Sequence, residues 1–166
     1  MDDHDFEEFA SARARELYRA AWLLCGNQWA AEDLVQETLA RVFSRWHHVS
    51  TAENPAAYVQ TMLFRLFVTG RRRLSSTELP SAELPEAPGR TRDHDLRLTL
   101  AAALGELPRT DRAVLVMRYL LDHTVAAVAT ELGLTEHAVR SRATRALARV
   151  RDHLGADFIV TTGERP

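Results

Sequence analysis

The amino-acid sequence predicts an all-α protein built as two small helical domains joined by a flexible linker. Three observations carry that expectation. Apolar residues recur at three- and four-residue spacing from Phe6 to Leu66 and again from Leu96 to Val150. Between these stretches, Ser75 to Asp95 holds Pro80, Pro85 and Pro88, five acids and little apolar content. Finally, Thr124 to Arg151 reads as a helix, a glycine turn and a second helix studded with arginine.

The first domain takes residues 1–74. Phe6, Phe9, Ala10, Leu17, Ala21, Leu24 and Cys25 form one helical stripe that ends at Gly26. Asn27 can cap the next helix, whose seam is Val35, Leu39, Val42, Phe43 and Trp46. The outer face of that helix carries Glu32, Asp33, Gln36 and Glu37. Asn54-Pro55 starts another helix, with Asn as cap and Pro where its missing N–H costs nothing. Val59, Met62, Leu63 and Leu66 then face inward. This helix is expected to run to Arg71-Arg72-Arg73, where the dipole favours positive charge. Together with Tyr58, Phe64 and Phe67, the triplet reads either as a nucleic-acid face or as a solvated helix end.

Residues 75–95 form the linker, and residues 96–154 the second domain. Leu96, Leu100 and Leu104 pattern a helix that stops at Pro108. Thr110 is the expected cap of the next, which buries Val114, Leu115, Met117 and Leu121. In the helical pair that follows, Val125, Val128, Ala129 and Leu132 make the first apolar face. Gly133 suits a left-handed C-cap. Thr135 supplies the second cap, and Glu136 sits where the helix dipole favours negative charge. Val139, Ala143, Ala146, Leu147 and Val150 are the buried positions of the last helix. The tail, 155–166, is too short for an appended regulatory domain.

At 100° per residue, Ser141, Thr144, Arg145 and Ala148 project away from that buried face, flanked by Arg140, Arg142 and Arg149. Residues 135–151 hold five Arg and one Glu. A helical hairpin with such a face can be merely solvated. Small Ala129 at the helix crossing, Gly133 in the turn and inward Val139 favour a helix-turn-helix whose outer helix enters a major groove.

Composition bounds the rest. The chain has 166 residues, 46% of them apolar, and a net charge of −2. The positive charge is local: residues 96–154 carry nine Arg against six acids, so a basic surface exists despite the balance. All 21 basic residues are Arg. Cys25 is alone, which excludes an intrachain disulfide and a thiolate metal cluster. His47-His48 has no partner at metal-ligand spacing, so no metal or cofactor is expected. A glycine-rich phosphate loop, GxSxG and HExxH are all absent, and an enzyme is not expected. The sequence has no 18-residue apolar run and starts with the acidic MDDHDFEEF, which points to a cytoplasmic chain with no membrane partner.

These residues resemble a bacterial RNA polymerase sigma factor of the extracytoplasmic-function (ECF, group 4) type, over about residues 5–154. AAEDLVQETLARVFSRW resembles the helix of sigma region 2 that docks on the polymerase β′ coiled coil. ENPAAYVQTML resembles the start of the helix that recognises and melts the −10 element. LPRTDRAVLVMRYLLDHTVAAVATELGLTEHAVRSRATRALARVR resembles region 4, which reads the −35 element and touches the β flap. The LARVF, RAVLVMRY and ALARVR phrases further resemble the actinobacterial SigE-like subgroup. The resemblance implies a promoter-specificity subunit that binds core RNA polymerase and promoter DNA, serving a stress or envelope regulon. It makes Asp33, Gln36 and Glu37 the polymerase-facing positions. It makes Arg140, Ser141, Thr144 and Arg145 the −35-reading positions, with Arg142 and Arg149 on phosphates. For the −10 element it points to His48, Asn54, Tyr58, Thr61, Arg65, Arg71 and Arg72. An anti-sigma factor is a candidate partner, and the free chain is expected to be a monomer.

The sequence departs from the family pattern at Arg65, Thr69 and Arg71, where members often carry Asn, Asp and an aromatic. Gly70 weakens a helix by roughly 1 kcal/mol relative to Ala. Ala127 stands where many region 4 helices have Glu. The alternative function is a stand-alone helix-turn-helix transcriptional regulator. Such a regulator needs a symmetric self-interface, whereas the outer face of the N-terminal domain is charged.

Overall fold

The computed structural model describes residues 3–70 and 91–155. In chain order they form α1 (Asp3–Cys25), α2 (Gln28–Phe43), α3 (Trp46–Ser50), α4 (Pro55–Thr69), α5 (Thr91–Gly105) and α6 (Arg109–Leu115). A π-helical turn, Val116–Leu120, prolongs α6, and α7 (Val125–Leu132) and α8 (Glu136–Leu154) complete the chain. The described residues contain no strand. Residues 71–90, which include most of the expected linker and Arg71-Arg72-Arg73, lie outside the described residues, as does the tail from 156. Thr91–Asp95, expected as linker, instead form the first turn of α5.

Four helices begin where a side-chain oxygen captures an orphan backbone N–H. Asn27 accepts from Ala30, Asn54 from Ala57, Thr124 from Ala127 and Thr135 from Ala138, each at 3.0 Å. Thr110 does not cap α6. The N–H of Arg112 already bonds the carbonyl of Pro108 at 2.9 Å, so the helix starts at Arg109 and Thr110 lies inside it.

In the N-terminal half, α1 packs along α2, and α4 closes the bundle. Trp22, Leu24, Val42, Val59 and Leu63 lie fully inside. Trp46 is buried too, but from α3 rather than from a continuation of α2. Phe43, expected in the seam, is 40% exposed and rests against Phe6, ring centres 4.9 Å apart. Phe64 and Phe67 are not a stacking face for bases: both are buried. The reason is that α4 is covered on two sides, by α1 and α2 and also by α6 and α7, so it is apolar around most of its girth.

In the C-terminal half, α8 packs on α5, α6 and α7. Leu96 is exposed, and α5 contributes Ala101, Ala103 and Leu104 to the core instead, followed by Leu107. Gly133 adopts φ 66° and ψ 36°, the left-handed conformation that a Cβ penalises. The N–H of Leu134 then reaches back to the carbonyl of Ala129 at 2.8 Å, closing the end of α7 before α8 departs.

The two halves share one continuous core. Helix α1 meets α5 and α6, and α4 meets α6 and α7. Three arginines cross between them. Arg112 Nη1 donates to the carbonyl of Leu24, Arg109 Nη1 to that of Phe67 at 2.6 Å, and Arg65 Nε to that of Glu131 at 2.6 Å. Each acceptor sits in the last turn of its helix, where carbonyls have no intrahelical partner. The guanidiniums of Arg109 and Arg112 also lie 4.9 and 5.6 Å from the Phe67 ring centre. Cys25 is packed beside them. Burial pushes its thiol up to about 11, against the opposing pull of Arg109 and Arg112. The shift disfavours the thiolate form of this half-buried group.

One ion pair ties α6 to α8: Arg142 Nη1 lies 2.7 Å from Oδ1 of Asp111, a residue only 7% exposed. Removing one partner of a charged hydrogen bond in such a place costs about 1.5–3 kcal/mol. Asp111→Ala is therefore expected to lower unfolding stability by roughly that amount, measured by urea titration. In Arg142→Met the same aspartate is orphaned, and the double variant should lose less than the sum of the two single losses. Strict additivity would show that the pair contributes nothing to the fold.

Candidate nucleic-acid interface

The helix-turn-helix is α7, the Gly133 turn and α8. Val128 and Ala129 of α7 meet Val139, Ala143 and Ala146 of α8 in the core, so the orientation of α8 about its own axis is fixed by packing. The opposite side is left open. Arg140, Thr144, Arg145 and Arg149 are exposed, and Ser141 is half-buried. Arg140 holds Glu136 at 2.8 Å across one helical turn. Such an exposed pair is worth a few tenths of a kcal/mol and yields readily to a stronger acceptor. Thr144 donates its hydroxyl to the carbonyl of Arg140 at 3.0 Å. Arg145 lies along its own helix, with Nε 3.4 Å from the carbonyl of Ser141.

Arg142 is the exception in the arginine set. Its guanidinium turns back to Asp111 instead of standing free at the flank of the face. The spacing of Arg142 could not reveal this. Its partner lies 31 residues earlier, and Asp111 carries no sequence signal beyond its place in the first turn of α6.

On α2 the expected polar positions stand clear. Asp33, Gln36 and Glu37 are exposed, with Glu37 held 2.8 Å from Arg41, while Ala31, Leu34, Val35, Thr38 and Val42 are buried behind them. The sequence reading missed Trp29, which is 66% exposed and belongs to the same side of the helix as Asp33, Gln36 and Ala40. Its signal was available: an aromatic off the apolar seam, two residues after a capping Asn.

Of the positions expected to meet the −10 element, His48, Asn54 and Arg65 are exposed and Tyr58 and Thr61 half-buried among the described residues. His48 is exposed and lies edge-on to half-buried Tyr58, ring centres 6.0 Å apart. Asn54 is exposed, but its side-chain oxygen serves as the α4 cap. Thr61 is half-buried. Arg65 is engaged with Glu131 of α7. Arg71 and Arg72 lie outside the described residues. Gly70 is not within a helix; it is the C-cap of α4, with its N–H on the carbonyl of Leu66. Among the described residues, no helix is long and apolar enough to cross a membrane.

Comparison with known proteins matches the two parts of the chain to two regions of one family. Residues 9–77 match the family described as Sigma-70 region 2, and residues 97–150 that described as Sigma-70, region 4. The chain is 32% identical to the RNA polymerase sigma-E factor of Streptomyces coelicolor, covering 92% of this chain and 87% of that protein. It is 34% identical to the ECF RNA polymerase sigma factor SigE of Mycolicibacterium smegmatis, over 90% of this chain and 61% of the other. Its likeness to the ECF sigma factor SigL of Mycobacterium tuberculosis is 32%, over 86% of each. Among solved structures, it shares its fold with the sigma factor RpoE of Bartonella quintana, crystallised with the anti-sigma factor NepR. The TM-score is 0.69 at 24% identity, covering 92% of this chain and 98% of that one. Regions 2 and 4 of one family, matched in order along a chain whose described residues are helical, leave one conclusion: the protein belongs to the sigma-70 family as an extracytoplasmic-function sigma factor, a promoter-specificity subunit for transcription initiation.

Proposed function

We propose that the two halves divide the work of this sigma factor. Residues 1–74 dock on core RNA polymerase and open the −10 region, residues 96–154 read the −35 element, and residues 75–95 connect them. The observation that carries this reading is the outward side of α8, with Arg140, Thr144, Arg145 and Arg149 exposed on a helix whose other side is locked into the core. Arg145, central on that side, is the base-reading arginine, suited to the O6 and N7 of guanine. With its hydroxyl turned to the backbone, Thr144 offers a methyl group to a thymine methyl. Arg149, nearer the edge, anchors phosphate, and Arg142 supports the helix instead of the DNA. The chain acts by binding, with no chemical step of its own, in the cytoplasm where the polymerase works. An anti-sigma protein is the candidate regulator.

The polymerase surface is the exposed side of α2. Asp33, Gln36 and Glu37 supply charge and hydrogen bonds, and Trp29 supplies the apolar anchor. A large aromatic held out in water next to polar groups has the composition of an interface hot spot. The same surface does not suit a symmetric dimer of a stand-alone regulator, because its acids would face their own copies. Run-off transcription with purified core polymerase tests the whole reading: promoter-specific initiation supports it. Dimeric operator binding that needs no polymerase, with no initiation, would replace it by the stand-alone regulator.

Two narrower outcomes follow. Glu37→Arg should weaken binding to core polymerase, chiefly through the encounter rate, and leave the circular dichroism melt nearly unchanged. Unaltered affinity in a titration would remove α2 from the interface. Arg145→Ala should cost about 1–3 kcal/mol on the preferred −35 sequence and relax preference at one position. Arg149→Ala should instead weaken all sequences alike and lower the salt slope by about one unit. A uniform loss for both, measured across a −35 library, would abolish the distinction between them.

A further inference from the structure

The outward helix α8 is seated on α7, and α7 is too short to hold its own position. Its 8 residues make little more than two turns, well below the length at which a helix is stable alone. Its attitude is therefore set by what surrounds it. Val128 and Ala129 pack it against α8. A second fixture lies in the bend before it. Asp122 has φ 55°, the one positive value at a non-glycine position among the described residues. Such a conformation persists only where the neighbours over-determine it. Here His123, next in sequence, has both backbone groups engaged by the π-helical turn. Its N–H donates to the carbonyl of Met117 at 2.9 Å, and its carbonyl accepts from Arg118 Nη1. The His123 ring is thus carried on a rigid mount, and its Nδ1 lies 3.4 Å from Oε2 of Glu131 in the last turn of α7.

Glu131 is poorly placed for any local purpose. A carboxylate in the last turn of a helix opposes the dipole. Its Oε2 is also closed to water and accepts no hydrogen bond from the described residues. A buried acceptor of that kind is costly unless a donor or cation stands against it. Among the described residues, the group at ion-pair distance is the His123 ring, the two side chains being 18% and 20% exposed. The contact is not needed to start or end α7, because Thr124 caps one end and Gly133 the other.

We propose that His123 and Glu131 are positioning residues for −35 recognition: they pin the C-terminal end of α7 to the bend before it, and so set the angle at which α8 leaves the Gly133 turn. The proposal rests on the reading of α8 as the helix that enters the −35 groove. Packing against Val128 and Ala129 fixes the rotation of α8 about its axis; the pair fixes the tilt of the unit that carries it. Base reading needs a side chain held within about 0.5 Å and 10–20° of its working geometry. Phosphate contacts by long arginines orient the protein without carrying sequence information, and they survive a small tilt. Loosening α7 therefore blunts discrimination between sequences before it weakens attachment to DNA.

The test is made on the full chain assembled with core polymerase, binding a library of −35 sequences at several salt concentrations. His123→Ala and Glu131→Ala should each compress, several-fold, the ratio between the best −35 sequence and its single-base variants, with the salt slope unchanged. His123→Gln, whose amide still donates toward Glu131, should keep most of the wild-type ratio. Because the two side chains act as one contact, the double alanine variant should lose no more than the worse single one. A merely structural role would lower the folded fraction, weaken every sequence alike and leave the ratio where it was, and that outcome overturns the proposal. Additive losses in the double variant, or a His123→Gln ratio as poor as that of His123→Ala, would overturn the pairing. Should His123→Ala fail to fold with its carboxylate partner orphaned, Glu131→Ala removes that carboxylate and carries the same readout. Arg145→Ala, measured beside them, separates the two levels. If it leaves every ratio unchanged, the reading of α8 fails and the proposal with it. If it relaxes one position while His123→Ala and Glu131→Ala relax none, the positioning role alone falls.

Discussion

Helix ends are the constraint on which this structure turns. An α-helix leaves its last carbonyls without partners, and an all-helical protein of short elements has many such ends to satisfy. This chain meets part of the demand with arginine from distant sequence. Arg112 illustrates the economy of the solution: one guanidinium serves Leu24 at the end of α1, Gly105 at the end of α5 at 3.2 Å and Leu107 in the turn after it at 3.1 Å. A planar fork with several fixed donors can hold carbonyls from two helices at once, which a single ammonium does with less geometric control. Burial lowers the pKa of Arg112, the expected direction for a cation held away from water. The shared core of the two halves is built around these crossings.

The same chemistry explains why arginines that look equivalent along the chain have different tasks. Arg140 and Arg145 stand in water on α8, where their neighbours are one turn away on the same helix. Arg142 lies between them in sequence, but the helical turn carries it toward α6, where Asp111 waits in a site largely closed to water. Groove-reading and core-supporting arginines thus alternate within six residues. The rigid presentation of the first kind depends on the second, because the Asp111–Arg142 pair holds α8 against α6.

Short-range features were the most legible in the sequence. Asn27, Asn54 and Thr135 cap as their positions suggest, because a cap involves atoms three residues apart. Gly133 turns left-handed for a similarly local reason, and the buried positions of α8 follow from its period. Most of the misses are long-range. Phe64 and Phe67 look like an aromatic face until α6 and α7 are seen to cover them. The bond from Arg65 Nε–H to the carbonyl of Glu131, 66 residues away, is likewise invisible to periodicity. Thr110 failed for a different reason: Pro108, unable to donate but free to accept, starts α6 earlier than the threonine would. Periodicity places a residue on a face; it does not say what lies opposite.

The π turn after α6 carries a consequence for how such chains vary. From Val116 to Leu120 the backbone bonds wrap one residue wider than in an α-helix, as in the bond from Leu121 N–H to the Val116 carbonyl at 3.1 Å. Tyr119 and Leu120 are swung to the surface there, while Val116 and Met117 stay inside. A turn of this kind amounts to a single-residue insertion absorbed within a helix. The extra residue is taken up at this point, and the helix-turn-helix downstream keeps its place on the core. The cost falls on two exposed side chains, which makes the spot a tolerant joint in an otherwise tightly indexed domain.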